Sequence, residues 1–211
     1  MDLVQIVLLS LLVSGSATII ASLIGVPLGI LLSITEFYGK KLLMRIIFTL
    51  MSLPPVVLGL VVLILISRQG PLGSLDLLFS VEAIIIAQTL LILPIIIGNI
   101  FTSSEELSVK LIETSKTLGG KKIDFIKLIF KETKPFIITA VILGFSRAIS
   151  EVGAAILVGG NIKGSTRVMT SYIALSTSMG NRESSLIMGA VLLVIAFLVN
   201  SLLERYRYEN K

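Results

Sequence analysis

The stretch LVQIVLLSLLVSGSATIIASLIGVPLGILLSIT, residues Leu3–Thr35, runs for 33 positions without a charged side chain. A helix crosses a hydrocarbon core of about 30 Å with about 20 apolar residues. This stretch is therefore long enough to span a bilayer, with some tilt or with a turn beyond one face. No basic residue precedes it and it is too long for a signal peptide, so we expect a retained helix.

Other parts of the chain have the same character. Three further charge-free runs are long enough to span: Ile46–Ser67, Ala83–Ser104 and Ser184–Leu203. Pro135–Ile162 is apolar except for Arg147 and Glu151. Val168–Asn181 is uncharged but short, so we expect an external or re-entrant segment there. The pattern predicts an all-α integral membrane protein with about five transmembrane helices, in one domain over residues 1–211.

Composition supports this class and excludes several functions. Hydrophobic residues make up 55% of the chain and charged residues 15%, against about 25% charged in a soluble domain. Cysteine and histidine are absent, which excludes disulfides, thiol nucleophiles and histidine-ligated metals. The 13 acidic residues show no ligand-like spacing and no adjacent pair within a span, so we expect no metal site and no catalytic residue. The net charge of +5 is explained by basic loops rather than by nucleic acid.

Lysine and arginine residues in the loops predict the orientation. Thirteen fall on one side: Lys40, Lys41, Arg45, seven lysines from Lys110 to Lys134, and Arg205, Arg207 and Lys211. Four fall on the other side: Arg68, Lys163, Arg167 and Arg182. Because basic residues accumulate on the cytoplasmic face, we expect the amino terminus outside and the carboxyl terminus in the cytoplasm.

The longest cytoplasmic segment, about 105–134, has helical periodicity on both sides of Gly119-Gly120. The apolar or small positions are Leu107, Leu111, Ile112 and Ser115, and then Ile123, Ile126, Ile129 and Phe130. We expect two short amphipathic helices joined by a tight turn against the inner face of the membrane. Such an element either rests among lipid headgroups or docks a soluble partner.

A family resemblance favours docking. Glu113-Thr-Ser-Lys-Thr-Leu-Gly119, followed ten residues later by Ile129, resembles the EAA loop of type I ABC importer permeases. Two departures are Thr114 and Ser115 in place of alanines and Lys131-Glu132 in place of Leu-Pro. The resemblance implies that the loop inserts into an ATPase subunit through Glu113, Thr114, Ser115, Lys116, Thr117, Leu118, Gly119, Gly120, Lys121 and Lys122.

The resemblance extends along the chain. Ser52-Leu-Pro-Pro-Val-Val-Leu-Gly59, Gly70-Pro-Leu-Gly73 and Gly144-Phe-Ser-Arg-Ala-Ile-Ser-Glu-Val-Gly-Ala154 resemble molybdate, tungstate and sulfate permeases. Gly159-Gly-Asn-Ile-Lys-Gly-Ser-Thr-Arg-Val-Met169 is most similar to the tungstate branch. The implied protein is the permease subunit of an oxyanion importer in a bacterial or archaeal plasma membrane. Implied partners are a second copy of the chain, two ABC ATPase subunits that use the ATP, and an external substrate-binding protein.

Several membrane residues are candidates for the path or its coupling. Pro54 and Pro55 lack backbone donors and should bend or unwind the second span. Arg147 and Glu151 are four residues apart in a predicted helix, so they either form a structural ion pair or act beside the path. The motif Gly25-x-x-x-Gly29 is a weak signal for close helix packing.

Energy for transport has to come from elsewhere. The chain contains no Gly-x-x-x-x-Gly-Lys-Ser/Thr phosphate loop, so we expect no cofactor on it and ATP use on a partner subunit. Two alternatives remain: a secondary transporter or channel driven by an ion gradient, and a membrane scaffold without transport activity. We expect the external residues Lys163, Arg167 and Arg182 to be solvated. The alternative is that they contact an acidic binding protein or steer an anion toward the entrance.

Overall fold

The computed structural model describes the backbone of residues 3–117 and 122–209, and side chains within 3–105, 128, 130–202 and 204–205. Within these residues the helices are α1 (Leu3–Ile34), α2 (Lys40–Met51), α3 (Pro55–Ile66), α4 (Val81–Thr117), α5 (Lys122–Ile149), α6 (Gly153–Gly159), α7 (Met169–Ser178) and α8 (Arg182–Glu209). A short 3-10 turn covers Gly73–Leu75. The described part of the chain has no β-strand, and the all-α prediction is confirmed.

Three helices contain a segment that is long and apolar enough to cross a bilayer. These segments are Leu3–Ile34, Val81–Glu105 and Arg182–Leu202. Two further candidates are bent helix pairs, α2 with α3 at 103° and residues 130–149 of α5 with α6 at 60°. Counting each bent pair as one span gives five, in agreement with the predicted number.

The second predicted span is not one continuous helix. The predicted bend at Pro54 and Pro55 is confirmed, but helix α2 begins at Lys40, well before the charge-free run. Pro54 is extended, with φ −61° and ψ 128°, and Pro55 is the first residue of α3. Because neither proline can donate a helical hydrogen bond, α2 ends at Met51 and a new helix starts in another direction.

The fourth predicted span also differs from expectation. We expected one apolar stretch over Pro135–Ile162, but α5 ends at Ile149 and α6 begins at Gly153. Pro135 does not interrupt α5. The hydroxyl of Thr139, one turn later, donates to the Pro135 carbonyl at 3.0 Å.

The cytoplasmic segment is not a pair of separate short helices. Its first half is the carboxyl-terminal part of α4, and its second half is the beginning of α5. Neither glycine nor proline occurs between Gly98 and Gly119 or between Gly120 and Pro135, so nothing in the local sequence ends the helices earlier. Helix α4 continues for 12 residues beyond Glu105, about 18 Å at 1.5 Å per residue.

Helix α4 is the centre of the bundle, with α1 and α5 against it. The hydrophobic cluster between these helices consists of small and aliphatic buried side chains: Ala17, Ala21, Val26, Ile30, Leu91, Ile92, Ile96, Ile100, Ala140 and Ala148. A Cβ atom on Gly25 would lie 2.9 Å from Ile96 Cγ2, and one on Gly29 would lie 2.9 Å from Ile100 Cβ. The Gly25-x-x-x-Gly29 motif therefore marks a close contact between α1 and α4.

Two loops meet at the end of the bundle that the charge distribution places outside. The amide of Phe79, before α4, donates to the Val158 carbonyl at 2.9 Å. The ring of Phe79 also lies against Gly160, which has a φ of +71°. The predicted short segment Val168–Asn181 contains helix α7, whose first residues Met169–Ser171 are buried.

Candidate functional site

The two helix breaks lie next to each other in the fold. A Cβ atom on Gly153, at the start of α6, would lie 2.5 Å from Cγ2 of Val56, near the start of α3. One turn further along α3, a Cβ atom on Gly59 would lie 2.6 Å from Cα of Ala154. Both distances are shorter than real Cβ contacts. At Gly59 the neighbour is backbone, so only glycine permits this approach, whereas at Gly153 the neighbour is a side-chain methyl group. The sequence motifs 52–59 and 144–154 are therefore one structural unit, which we call the paired break.

The first break is stabilised by local hydrogen bonds. The amides of Ser52 and Leu53 donate to the carbonyls of Thr49 and Leu50, each at 3.1 Å. On the other side, the carbonyl of Pro54 accepts from the next available amides of α3. Ser52 and Pro54 are both exposed, so this irregular backbone reaches the surface of the single chain.

The second break is organised around the buried side chain of Glu151, which is only 3% exposed. Its carboxylate Oε1 accepts from the amide of Ala154 at 2.9 Å and so caps a free amide in the first turn of α6 from the residue before the N-cap position, Val152. Its carbonyl accepts from the hydroxyl of Thr170 at 2.6 Å, which ties α7 to the break. The carboxylate also lies near the positive end of the α6 dipole.

Gln88 of α4 joins the central helix to the same break, and the sequence analysis missed it. Its Nε2 donates to the Ala148 carbonyl at 3.0 Å, and that carbonyl also accepts from the Glu151 amide at 3.2 Å. Gln88 is 2% exposed. A glutamine in the middle of an apolar span needs a polar partner, and this was the signal that could have identified it.

Arg147 and Glu151 do not share a helical face. Arg147 lies in the last turn of α5, whereas Glu151 lies in the irregular segment after it. Among the described side chains, no salt bridge joins them. The alternative of a structural ion pair is therefore not what the structure contains. Arg147 is half-buried at the carboxyl-terminal end of α5, where the helix dipole favours a cation.

The predicted docking residues lie at the cytoplasmic end of the α4–α5 hairpin. Glu113, Thr114, Ser115, Lys116 and Thr117 form the last helical residues of α4. Lys122 is the first residue of α5. Leu118, Gly119, Gly120 and Lys121 lie outside the described residues. Their role in docking stays a prediction.

The external segment after α6 is held by a network of hydrogen bonds. The guanidinium of Arg167 donates to both the side chain and the carbonyl of Asn161, each at 3.1 Å. Ser171 donates to the same Asn161 side chain at 3.0 Å, and the amide of Met169 donates to the Ser10 hydroxyl at 2.8 Å. Arg167 is therefore a structural residue, and the prediction of a solvated charge is wrong for it. Lys163 and Arg182 are exposed.

The hydrogen-bonding groups at the paired break position helices α6 and α7. No group of three or more acidic side chains close enough to hold a metal occurs in the described part of the chain. The site consists of two helix ends, a buried carboxylate and a nearby guanidinium.

Comparison with known proteins decides the family. Residues 25–206 match the family described as "Binding-protein-dependent transport system inner membrane component". The chain belongs to this family. It is accordingly a multi-pass permease subunit of the plasma membrane, and its ATPase is a separate chain. Membership also implies an ATPase and a substrate-binding protein as partners.

Curated relatives of the permease cover almost the whole chain. It is 45% identical to the tungstate uptake system permease protein TupB of Peptoclostridium acidaminophilum, over 97% of this chain and 90% of the relative. It is 31% identical to the molybdenum transport system permease protein ModB of Escherichia coli K12, over 98% and 95%. These matches confirm the predicted resemblance to tungstate and molybdate permeases.

The fold of the permease also matches a solved structure. A chain of the inward-facing MetNI methionine ABC transporter superimposes with a TM-score of 0.82, over 99% of this chain and 96% of that chain. The two sequences are 18% identical, so the likeness concerns the fold alone. It confirms the predicted type I ABC permease fold.

Proposed function

We propose that two copies of this chain form the membrane path of an importer for tungstate or molybdate. The names of two relatives, a tungstate permease at 45% identity and a molybdenum permease at 31%, support this substrate class. The resemblance of Gly159–Met169 to the tungstate branch favours tungstate between the two. An external binding protein supplies most of the selectivity, since the paired break offers few polar groups.

The observation that carries the proposal is the continuity of α4 from the docking end to the paired break. Thr117 and Gln88 are 29 residues apart in one helix, about 44 Å. Gln88 bonds the Ala148 carbonyl, where α5 ends. A movement of the α4–α5 hairpin by the ATPase therefore reaches the break through one continuous helix, which Pro94 does not interrupt. Two packed arrangements of such helices provide alternating access.

In this mechanism the paired break lines the path. Pro54 and Pro55 bring irregular backbone to the surface of α3, and such backbone is tolerated in a membrane only beside protein or water. Arg147 partly offsets the charge of a passing oxyanion, and Glu151 positions α6 through its cap on Ala154. These roles make Pro54, Pro55, Arg147 and Glu151 path or coupling residues without a tight binding site.

A homodimer would cover the exposed apolar face of α3. Val56, Leu60 and Ile64, at helical spacing, are each about half exposed in the single chain, at 57%, 48% and 58%. Two copies that meet along this face would place both paired breaks around one central path.

The absence of cysteine permits a clean test of this interface. We expect a single Leu60→Cys variant to form a disulfide-linked dimer in membranes under mild oxidation. Leu193→Cys on α8, which is 72% exposed, is the matched control and should remain monomeric. The reverse pattern would place the interface on α8 and contradict the proposed path.

Tungstate uptake by cells tests both the docking of the ATPase and the energy source of transport. Cells that express the chain with its ATPase and binding protein should accumulate tungstate, and Gly119→Trp should abolish uptake and ATPase association without loss of membrane insertion. Gly189→Trp is the control, because a Cβ atom there meets nothing within 4 Å. Uptake that persists without the ATPase and follows an imposed ion gradient would support the secondary-transporter alternative instead.

A further inference from the structure

A basic groove at the start of α2 is not used by the proposed mechanism. It lies between the α1–α2 turn, α2 and α4, and encloses a volume of about 630 Å³. Its lining includes Lys41, Arg45, Met44, Phe48 and Phe101. We call it the α2 groove. Aromatic and aliphatic side chains form one part of it, and two cations form another.

The position of the groove along the membrane normal follows from its place along α4. Glu105, which also lines the groove, is the first charged residue after the charge-free run Ala83–Ser104 of α4, and so marks the level at which this span leaves the hydrocarbon core. The docking end of α4 lies about 18 Å further into the cytoplasm, at Thr117. The groove is therefore at the level of the inner headgroups and well separated from the ATPase-docking residues. Phe37 and Tyr38, both exposed, provide aromatic side chains at the same level, as is common at membrane interfaces.

Helix α2 has the geometry of an interfacial helix. It turns 103° from α3, so it cannot run along the membrane normal if α3 does. Met44 and Ile47 are buried against Ile97 and Phe101 of α4. Its remaining faces carry exposed apolar side chains together with cations, the composition of a helix in the headgroup region.

The charges in the groove leave a net attraction for an anion. Lys40 is buried, pairs with Glu36 at 2.8 Å, and lies 5.4 Å above the ring of Phe101. That pair is internally neutral. Lys41 and Arg45 are exposed, and neither forms a salt bridge within the described residues. Glu105 is a second carboxylate at the rim and reduces the excess without cancelling both cations.

We propose that the α2 groove binds an anionic phospholipid of the inner leaflet. The phosphate lies between Lys41 and Arg45, which are one helical turn apart, and the acyl chains lie on Phe48 and the apolar face of α2. The lipid is favoured over other occupants because the groove combines cations with an apolar floor at headgroup depth. Binding fixes the α1–α2 turn and thereby the starting position of the first break.

The test is the thermal stability of the purified full chain in detergent, titrated with phosphatidylglycerol or phosphatidylcholine. With about 1 kcal/mol for each cation, and part of this offset by Glu105, we expect phosphatidylglycerol to bind about 5- to 30-fold more tightly than phosphatidylcholine. The double variant Lys41→Gln/Arg45→Gln should lose this preference. The control Lys163→Gln/Arg182→Gln removes two exposed cations outside the groove and should keep it.

Additional variants and ligands distinguish lipid binding from the binding of other partners and from a folding defect. Arg45→Lys keeps the charge and should keep the preference. Inorganic phosphate that stabilises the chain as well as phosphatidylglycerol would overturn the proposal in favour of a free anion. Loss of ATPase association in the double variant, in detergent without added lipid, would overturn it in favour of a protein contact. Equal loss of the preference in both double variants would also overturn it.

Discussion

The substitution Gly59→Ala tests the paired break directly. A Cβ atom at this position would lie 2.6 Å from Cα and 3.0 Å from Cβ of Ala154. Since ordinary contacts are 3.4–4 Å, α3 and α6 would have to separate by about 1 Å. The nearest atom belongs to backbone, so a change of side-chain rotamer cannot relieve the overlap.

The size of the effect follows from two opposing terms. Overpacking costs about 1–3 kcal/mol. Alanine has a helix propensity about 1 kcal/mol better than glycine, which offsets part of that cost. Gly189→Ala gains the same propensity in α8 without any overlap, because nothing lies within 4 Å. The difference between the two variants therefore isolates the overpacking term of about 1–3 kcal/mol.

Thermal unfolding of both variants measures this difference. In a chain of this size 1 kcal/mol corresponds to about 2–4 °C, so Gly59→Ala should unfold about 2–12 °C below Gly189→Ala. Tungstate uptake per assembled copy should also fall in Gly59→Ala, because the overlap occurs at the break. Equal melting temperatures with normal uptake would show that α3 and α6 do not pack as described.

Three other substitutions address the hydrogen bonds of the breaks and the external segment. Glu151→Ala should lower stability by about 1 kcal/mol through loss of the cap on Ala154, whereas Glu151→Gln keeps an acceptor and should remain near wild type in thermal unfolding. Gln88→Leu removes a bond of about 1 kcal/mol to the Ala148 carbonyl and should reduce uptake more than it reduces the amount of protein in the membrane. Arg167→Gln removes the guanidinium bonds that hold the external segment, and hydrogen exchange over 159–171 should become faster while the core is unchanged.

The spans and the first break could be predicted from local sequence. A charge-free run of sufficient length has few alternatives to a membrane helix, and α1 matches its run to within one residue. The prolines at 54 and 55 break a helix wherever they occur, because the missing donors and fixed φ angles belong to the residues themselves. The docking loop was predicted in the same way, from residues that are adjacent in sequence, and its role stays a prediction.

The second break could not be predicted because its causes are distant. No proline lies near Ser150–Val152, and a single glycine at 153 is tolerated within membrane helices. The carbonyls at the break are instead satisfied from α4 and α7, by Gln88 across 60 residues and by Thr170 across 19. Such hydrogen bonds between distant residues cannot be deduced from the pattern of residue types along the chain.

This difference between the breaks predicts which of the two helices that line the proposed path, α3 or α6, can move. The α2–α3 break is set by proline and persists wherever α3 is placed. The α5–α6 break depends on bonds from α4 and α7, so its geometry changes when α4 shifts. Because α4 is also the helix that reaches the predicted docking end, a shift of α4 would reach α6 through these bonds. We therefore expect α3 to serve as the fixed wall and α6 as the moving one, with Gly59 and Gly153 as the contact across which they slide.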